Sequence, residues 1–242
     1  AGRICYEAFS TVADQHGFPH DFPTVEAASL PIRWLINHPR VYGVVAESAG
    51  RVIGSSFLDE RGPVFAIGPV SVDPNAQDHH VGRKLMEAML ARFHERGAAG
   101  VRLVQIAYHN RSLSLYAKLG FEVRSSFAAM HGTPLKRALP GYDVRPATID
   151  DEYAMNSLCL RVHGHARSVE VREAIESGDA RVVERLGRIT GYTTKINYFA
   201  HSVAETNDDL RALICESADF GTPGFLVPLD NNDLFRWCLE QG

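Results

Sequence analysis

The sequence predicts an α/β fold with a mixed sheet, laid out as two tandem copies of which the second is degenerate. Hydrophobic periodicity changes from strand to helix across residues 63–93, a second strand-to-helix change follows across residues 101–119, and short strand patterns of the first half recur in order in the second.

Residues 1–15 and 25–37 carry helical patterns, and Val41 to Glu47 and Arg51 to Leu58 read as strands joined by Ser48, Ala49 and Gly50. The run from Pro63 to Val72 is rich in β-branched and aromatic residues. After it, Val81, Leu85, Met89 and Phe93 recur four apart, with Met86 and Leu90 beside them. A helix N-terminus presents unpaired N–H groups and the positive end of its dipole, and residues 77–84 set Arg83, Lys84, His79 and His80 beside it. An anion fits there, although a merely solvated loop would read the same on this segment alone. Val101 to Tyr108 then reads as a buried strand, and Arg111 to Leu119 as a short helix stopped by Gly120. After Phe121, EVRSSFAAM is strand-like, and Gly132 to Gly141 has the Pro, Gly and charge content of a linker.

Gln77 and Gly82 hold the outer positions of a phosphate-loop motif, Q/R-x-x-G-x-G/A, and Asn110, Tyr116, Gly120 and Phe121 fit a second motif, N-x-x-(A/S)-x-x-x-Y-x-x-x-G-F, with small differences in spacing. Together, in this order, they resemble motifs A and B of the GNAT acetyltransferase superfamily over roughly residues 1–130. One departure is His80, which stands where the family has its first loop glycine, the residue that lets backbone approach phosphate without a Cβ.

The second half restarts the pattern. Gly187 to Thr194 mirrors Gly50 to Phe57, and both follow a Val-Val strand; HSVAE lies where PVSVD lies, and Leu210 to Ile214 where GRKLM does. Between Val203 and Leu210 there is only AETNDD, with no glycine, no Lys or Arg and three acids, which repel a pyrophosphate. If Leu234 matches Leu113, Trp237 takes the place of Tyr116. The expected layout is an acetyltransferase domain over residues 1–133, a linker over 134–142, and a GNAT-like copy over 143–242 that binds no CoA and helps wall the acceptor cleft. The first copy starts without the strand that opens the second, and the second stops before the strand pair that follows Phe121, so either the ends are trimmed or disordered, or the neighbouring domain supplies strands. An unpaired edge favours pairing with another chain, and a monomer or homodimer is expected.

Composition narrows the partners. A chain of 242 residues, 45% hydrophobic with net charge −4, has room for one large or two modest cores, no basic surface for nucleic acid and no run long enough for a membrane. Cys5, Cys159, Cys215 and Cys238 are widely spaced, which suggests a reduced cytoplasmic setting. The histidine pairs His79-His80 and His163/His165 lack the partner spacing of a zinc site, and no metal is expected.

The resemblance implies acetyl-CoA as acyl donor and a small-molecule or peptide amine as acceptor. Its pantetheine arm would pair with backbone at Val70, Ser71 and Val72 much as an added strand does. The pyrophosphate would sit on Gln77, Asp78, His79, His80, Val81, Gly82 and Arg83, assisted by Arg83 or Lys84, and Asn110 would hold the pantetheine and cap its helix. Tyr116 would be the general acid for the leaving thiolate; a core tyrosine sharing helical spacing with Leu113 and Leu119 is the structural alternative. The strand 63–72 carries no carboxylate, leaving Asp59, Glu60 and His109 as candidate bases. A non-catalytic acyl-CoA-binding or regulatory module is the second expectation.

Overall fold

Alternating residues between Val41 and Val72 fold as β1 (Val41–Ser48), β2 (Arg51–Asp59) and β3 (Val64–Val72), an antiparallel sheet in the computed structural model, which describes residues 1–77 and 79–242. β4 (Gly100–Arg102) joins it parallel to β3, giving the order β1-β2-β3-β4. Helices α1 (Gly2–His16) and α2 (Val25–Asn37) bury Cys5 and Ile32 against Phe57. Helix α3 (Val81–Arg96) buries Met86 and Met89 against Leu58, Phe65 and Ile67, and α4 (Asn110–Lys118) adds Leu115 and Tyr116 to the margin of that cluster. Burying a side chain of this size contributes roughly 1.5–3 kcal/mol. Together these elements form the unit Ala1–Glu122.

One extra residue sets the geometry of β3. Ser56 pairs with Val70 and Leu58 with Ile67, so three steps on β3 face two on β2 and Gly68 and Pro69 form a bulge. The bulge reverses the alternation: Phe65 and Ile67 join the Met86 cluster before it and Val70 after it, while Ser71 lies beside Cys5 of α1. β4 pairs only through Val64↔Gly100, Phe65↔Val101 and Ala66↔Arg102. Beyond the bulge, where Pro69 has no N–H to give, β3 has no strand on that side among the described residues. The buried strand expected from Val101 to Tyr108 is therefore three residues long, and the chain from Leu103 to His109 leaves the sheet.

The second unit, Val123–Gly242, begins before the linker expected at 134–142. Its elements are β5 (Phe127–Met130), β6 (Asp143–Pro146), α5 (Glu152–His163), α6 (Ser168–Glu176), β7 (Arg181–Arg185), β8 (Arg188–Thr193), β9 (Ser202–Ala204), α7 (Asn207–Glu216), β10 (Phe225–Pro228) and α8 (Asn232–Glu240). β6-β7-β8-β9 form an antiparallel sheet, and β5 pairs with β10. The strand after Phe121 thus belongs to this unit, because Phe127–Met130 finds its partner in Phe225–Pro228.

The two hairpins β1-β2 and β7-β8 have the same geometry. Each turns through two left-handed residues, Ala49-Gly50 (φ 50 and 72) and Leu186-Gly187 (φ 53 and 73), the tight turn that matches strand twist. Each skips one residue of its second strand, Ile53 and Thr190, between the pairs Ala46↔Gly54 and Glu47↔Val52 and the pairs Val183↔Gly191 and Glu184↔Ile189. The skipped carbonyls accept from Asp73 N–H (2.8 Å) and Glu205 N–H (2.9 Å) respectively. Gly54 and Gly191 lie where an added Cβ would come within 3.0 Å of Ser71 O in one case and of Val183 and Ala204 in the other.

Candidate active site

The bulge that frees the end of β3 also aims it at the start of α3. Residues 73–80 connect them, opening with a 3₁₀ turn, Pro74–Ala76, whose first N–H groups are held by Asp73. His80 then adopts φ 58 and ψ 15 and serves as N-cap of α3 without a side-chain hydrogen bond to the helix. This is the left-handed conformation a loop glycine would take, and histidine is among the residues that tolerate it. The cost of a non-glycine residue there is about 1–2 kcal/mol, set against the chain entropy glycine would lose. A His80→Gly variant is therefore expected to keep its thermal midpoint within a few degrees of wild type. A fall of more than about 8 °C, roughly what a destabilisation beyond 2 kcal/mol gives, would mean that the imidazole itself holds the loop.

The first turn of α3 contains no acid, Lys84 N–H returns to His80 O at 3.0 Å, and the N–H groups ahead of it lie at the positive end of a sixteen-residue helix. Val81 is buried and anchors the turn; Lys84, His79 and His80 are exposed; Arg83 pairs with Glu87 at 3.4 Å. A Cβ at Gly82 would make ordinary contact, 3.7 Å, with both Val72 of β3 and Leu115 of α4, so three elements converge there. Gln77 reaches the same place, its Oε1 accepting from Arg111 Nη1 at 3.1 Å. Arg111 was not among the expected site residues; it brings a further cation to the loop from the start of α4. Asp78 lies outside the described residues.

Asn110 is the first residue of α4 and not its cap. The capping position is His109, whose Nδ1 shares a 2.7 Å hydrogen bond with Ser112 Oγ. Tyr116 packs its ring on the Met86 cluster and edge-on to Phe121, 6.1 Å away. Burial pushes its phenol up from the ordinary value, and the Ser112 hydroxyl beside it pulls part of the way back. It is thus protonated at neutral pH and linked through Ser112 to His109. That imidazole is held below its usual range by burial, then by Arg111 and His16, and is neutral.

The two carboxylates expected as bases are already paired. Asp59 accepts from Arg61 Nη2 at 2.6 Å, and Glu60 from Arg92 Nε at 2.7 Å and Arg96 Nε at 3.2 Å. Each carboxylate is engaged by arginine where it stands.

In the second unit the corresponding connection, between β9 and α7, is residues 205–206 only. Thr206 and Asp209 cap α7 reciprocally: Asp209 Oδ2 accepts from Thr206 N–H (3.1 Å) and Oγ1 (2.6 Å), and Oδ1 from Thr190 Oγ1 (2.6 Å). Asp209 is fully buried, so the helix start is filled by a carboxylate of its own. Trp237 of α8 packs on that unit's core, 5.7 Å from Arg211. Counted from the helix starts, Asn110 and Asn232, the place of Tyr116 falls one residue on, at Cys238, whose thiol is pushed up to about 11 by burial.

The profile of the Acetyltransferase (GNAT) family matches residues 6–121. Mycothiol acetyltransferase of Catenulispora acidiphila is 40% identical over 65 residues, 27% of this chain and 21% of that protein; the Nocardia farcinica protein of the same name is 41% identical over 75 residues, 29% and 25% of the two chains. The chain thus spans about a quarter or less of these relatives' length. A solved structure described as a putative acetyltransferase from Pyrococcus horikoshii superposes with a TM-score of 0.67 over 99% of this chain and 81% of its own, at 17% identity, a likeness of fold across both units. The freed strand end and the start of α3 fall within this profile match, which spans nearly all of the first unit, so residues 6–121 are similar to the Acetyltransferase (GNAT) family.

Proposed function

We propose that the first unit binds acetyl-CoA and transfers its acetyl group directly to a primary amine of a small molecule, with Tyr116 donating the proton to the leaving thiolate. The observation that carries this is the conjunction of a strand end, Ile67 to Val72, that has no strand on the β4 side among the described residues, with a helix start, Val81 to Arg83, whose N-cap His80 makes no side-chain cap hydrogen bond. The first offers backbone groups to an extended arm, the second offers N–H groups to a pyrophosphate. Residues 77, 79–84 and 111 supply the anion-binding donors and cations; Asp78 is proposed with them from its place in the motif. Asn110, exposed at the start of α4, faces no requirement to cap and is available to the arm.

Acetyl-CoA, when bound, supplies the thioester carbonyl. The chain's residues orient it along β3, and Tyr116 holds its proton until sulfur departs, its pKa kept high by burial. The relatives' name, mycothiol acetyltransferase, supports a small-molecule acceptor. We propose a single cofactor site, because the α7 start is already filled by Asp209.

The test is calorimetric titration of acetyl-CoA into the chain and into Gly82→Glu. There is ordinary contact room for the Cβ, and an acid in the first turn favours the helix, so the variant should fold while placing a carboxylate at the anion site, as Asp209 does in α7. One equivalent is expected for wild type and none for the variant. Two equivalents, or unchanged binding by Gly82→Glu, would refute the assignment.

A further inference from the structure

With Asp59 and Glu60 held in ion pairs, the acceptor side of the first unit needs another group to receive a cationic amine. Asp21, on the connection between α1 and α2, has a buried carboxylate oxygen, Oδ2, with no hydrogen-bond partner. Buried carboxylates elsewhere in the chain are saturated: both oxygens of Asp209 and both of Asp151 accept hydrogen bonds. A carboxylate oxygen withdrawn from water without a donor is costly.

The Cys5 thiol of α1 and the Tyr108 phenol beyond β4 are both raised, by burial first and by the Asp21 charge as a lesser cause. Cys5 in turn lies beside Ser71, between Val70 and Val72 on the freed end of β3. Ser71 pairs with Ser55 across the β2-β3 ladder, and the Ser55 hydroxyl is buried without a partner. Tyr108 is stacked under Phe18, with ring centroids 4.2 Å apart and planes 9° from parallel, and has His16 at 5.1 Å. The α1-α2 connection, the free strand end and the segment after β4 thus meet around one unsatisfied carboxylate.

We propose that Asp21 receives the ammonium of the acceptor amine and takes its proton. This rests on the acetyltransferase reading and names the residue that the sequence lacked. One proton passes from R–NH₃⁺ to the Asp21 carboxylate, and the freed nitrogen lone pair forms the C–N bond to the acetyl carbonyl carbon. The C–S bond breaks, and the sulfur takes the Tyr116 phenol proton. The second proton lost by nitrogen restores that phenol, and Asp21 releases its own to solvent, so the sum is one amide, one thiol and one proton. Burial holds the Asp21 carboxyl above its ordinary value, with His20 opposing. The titratable groups around it are Cys5 on α1, His20 on its own connection and Tyr108 beyond β4.

The experiment follows the Asp21 carboxyl by ¹³C NMR, assigned with the Asp21→Asn variant, in the chain with and without coenzyme A. Spermidine, glucosamine and cysteamine serve as primary-ammonium probes. At least one probe is expected to lower the carboxyl's titration midpoint by about one pH unit. The same probe should bind at least about tenfold more weakly to Asp21→Asn, while acetyl-CoA affinity of the variant matches wild type. A carboxyl that none of the probes moves, or equal probe binding by wild type and Asp21→Asn, overturns the proposal. Failure of wild type to bind acetyl-CoA refutes the proposed function instead, and the titration without coenzyme A still decides the role of Asp21.

Discussion

Tyr116→Phe is expected to lower kcat by about 10²–10⁴-fold and to leave acetyl-CoA affinity and the fold unchanged. The ring packs on the Met86 cluster and touches Phe121, and those contacts survive loss of the hydroxyl. What disappears is a proton that burial keeps on the phenol. A steady-state assay of thiol release with an accepted amine, beside calorimetry of acetyl-CoA, separates the two effects. Equal turnover by the variant would remove Tyr116 as proton donor. A chain that binds acetyl-CoA and turns over no amine in either form would be the non-catalytic module, which the sequestered Asp59 and Glu60 favour in the absence of another base.

The second large effect lies in the other unit. Asp209→Ala should destabilise Val123–Gly242 by about 3–5 kcal/mol, the range for removing one member of a buried, hydrogen-bonded charge cluster. The substitution strands the Thr190 hydroxyl, fully buried, and the Thr206 N–H, and it leaves Arg185, 3.5 Å away, without this counter-charge. Urea denaturation followed by Trp237 fluorescence in a Trp34→Phe background reads this unit apart from the first. The variant should still bind one acetyl-CoA, because residues 205–206 are too short to wrap a phosphate even with the carboxylate gone. A loss below about 1 kcal/mol would reduce Asp209 to an ordinary exposed cap.

Elements with strong local signals were legible in the sequence: the hairpins, the onset of α3 at Val81, the turn at Gly120 and the recurrence of the hairpin pattern. The motif residues Gln77, Gly82 and Tyr116 also fell into one region, because their spacing is fixed by strand and helix lengths. What escaped depends on tertiary pairing. The run from Pro63 to Val72 read as one strand, and only the register against Ser56 and Leu58 makes Gly68-Pro69 a bulge that reverses the alternation, with β4 confined to Gly100–Arg102. The pairing of Phe127–Met130 with Phe225–Pro228 spans almost a hundred residues, and no periodicity reports it. Asp59 and Glu60 looked free as bases because their arginine partners Arg61, Arg92 and Arg96 are assigned by geometry. Asp21 carries no motif; its interest arises from a missing hydrogen bond.

The bulged hairpin that occurs twice gives the chain an internal control. Whatever Ala49-Gly50 and Leu186-Gly187, Ile53 and Thr190, and Gly54 and Gly191 have in common is what folding demands of this framework, since the two units differ at the start of the following helix. What separates them, an eight-residue connection ending in a bare helix start against a two-residue connection sealed by Asp209, is then attributable to ligand use. Exchanging residues 73–80 and 205–206 between the units would therefore distinguish sequence kept for architecture from sequence kept for chemistry within a single polypeptide, without recourse to another protein.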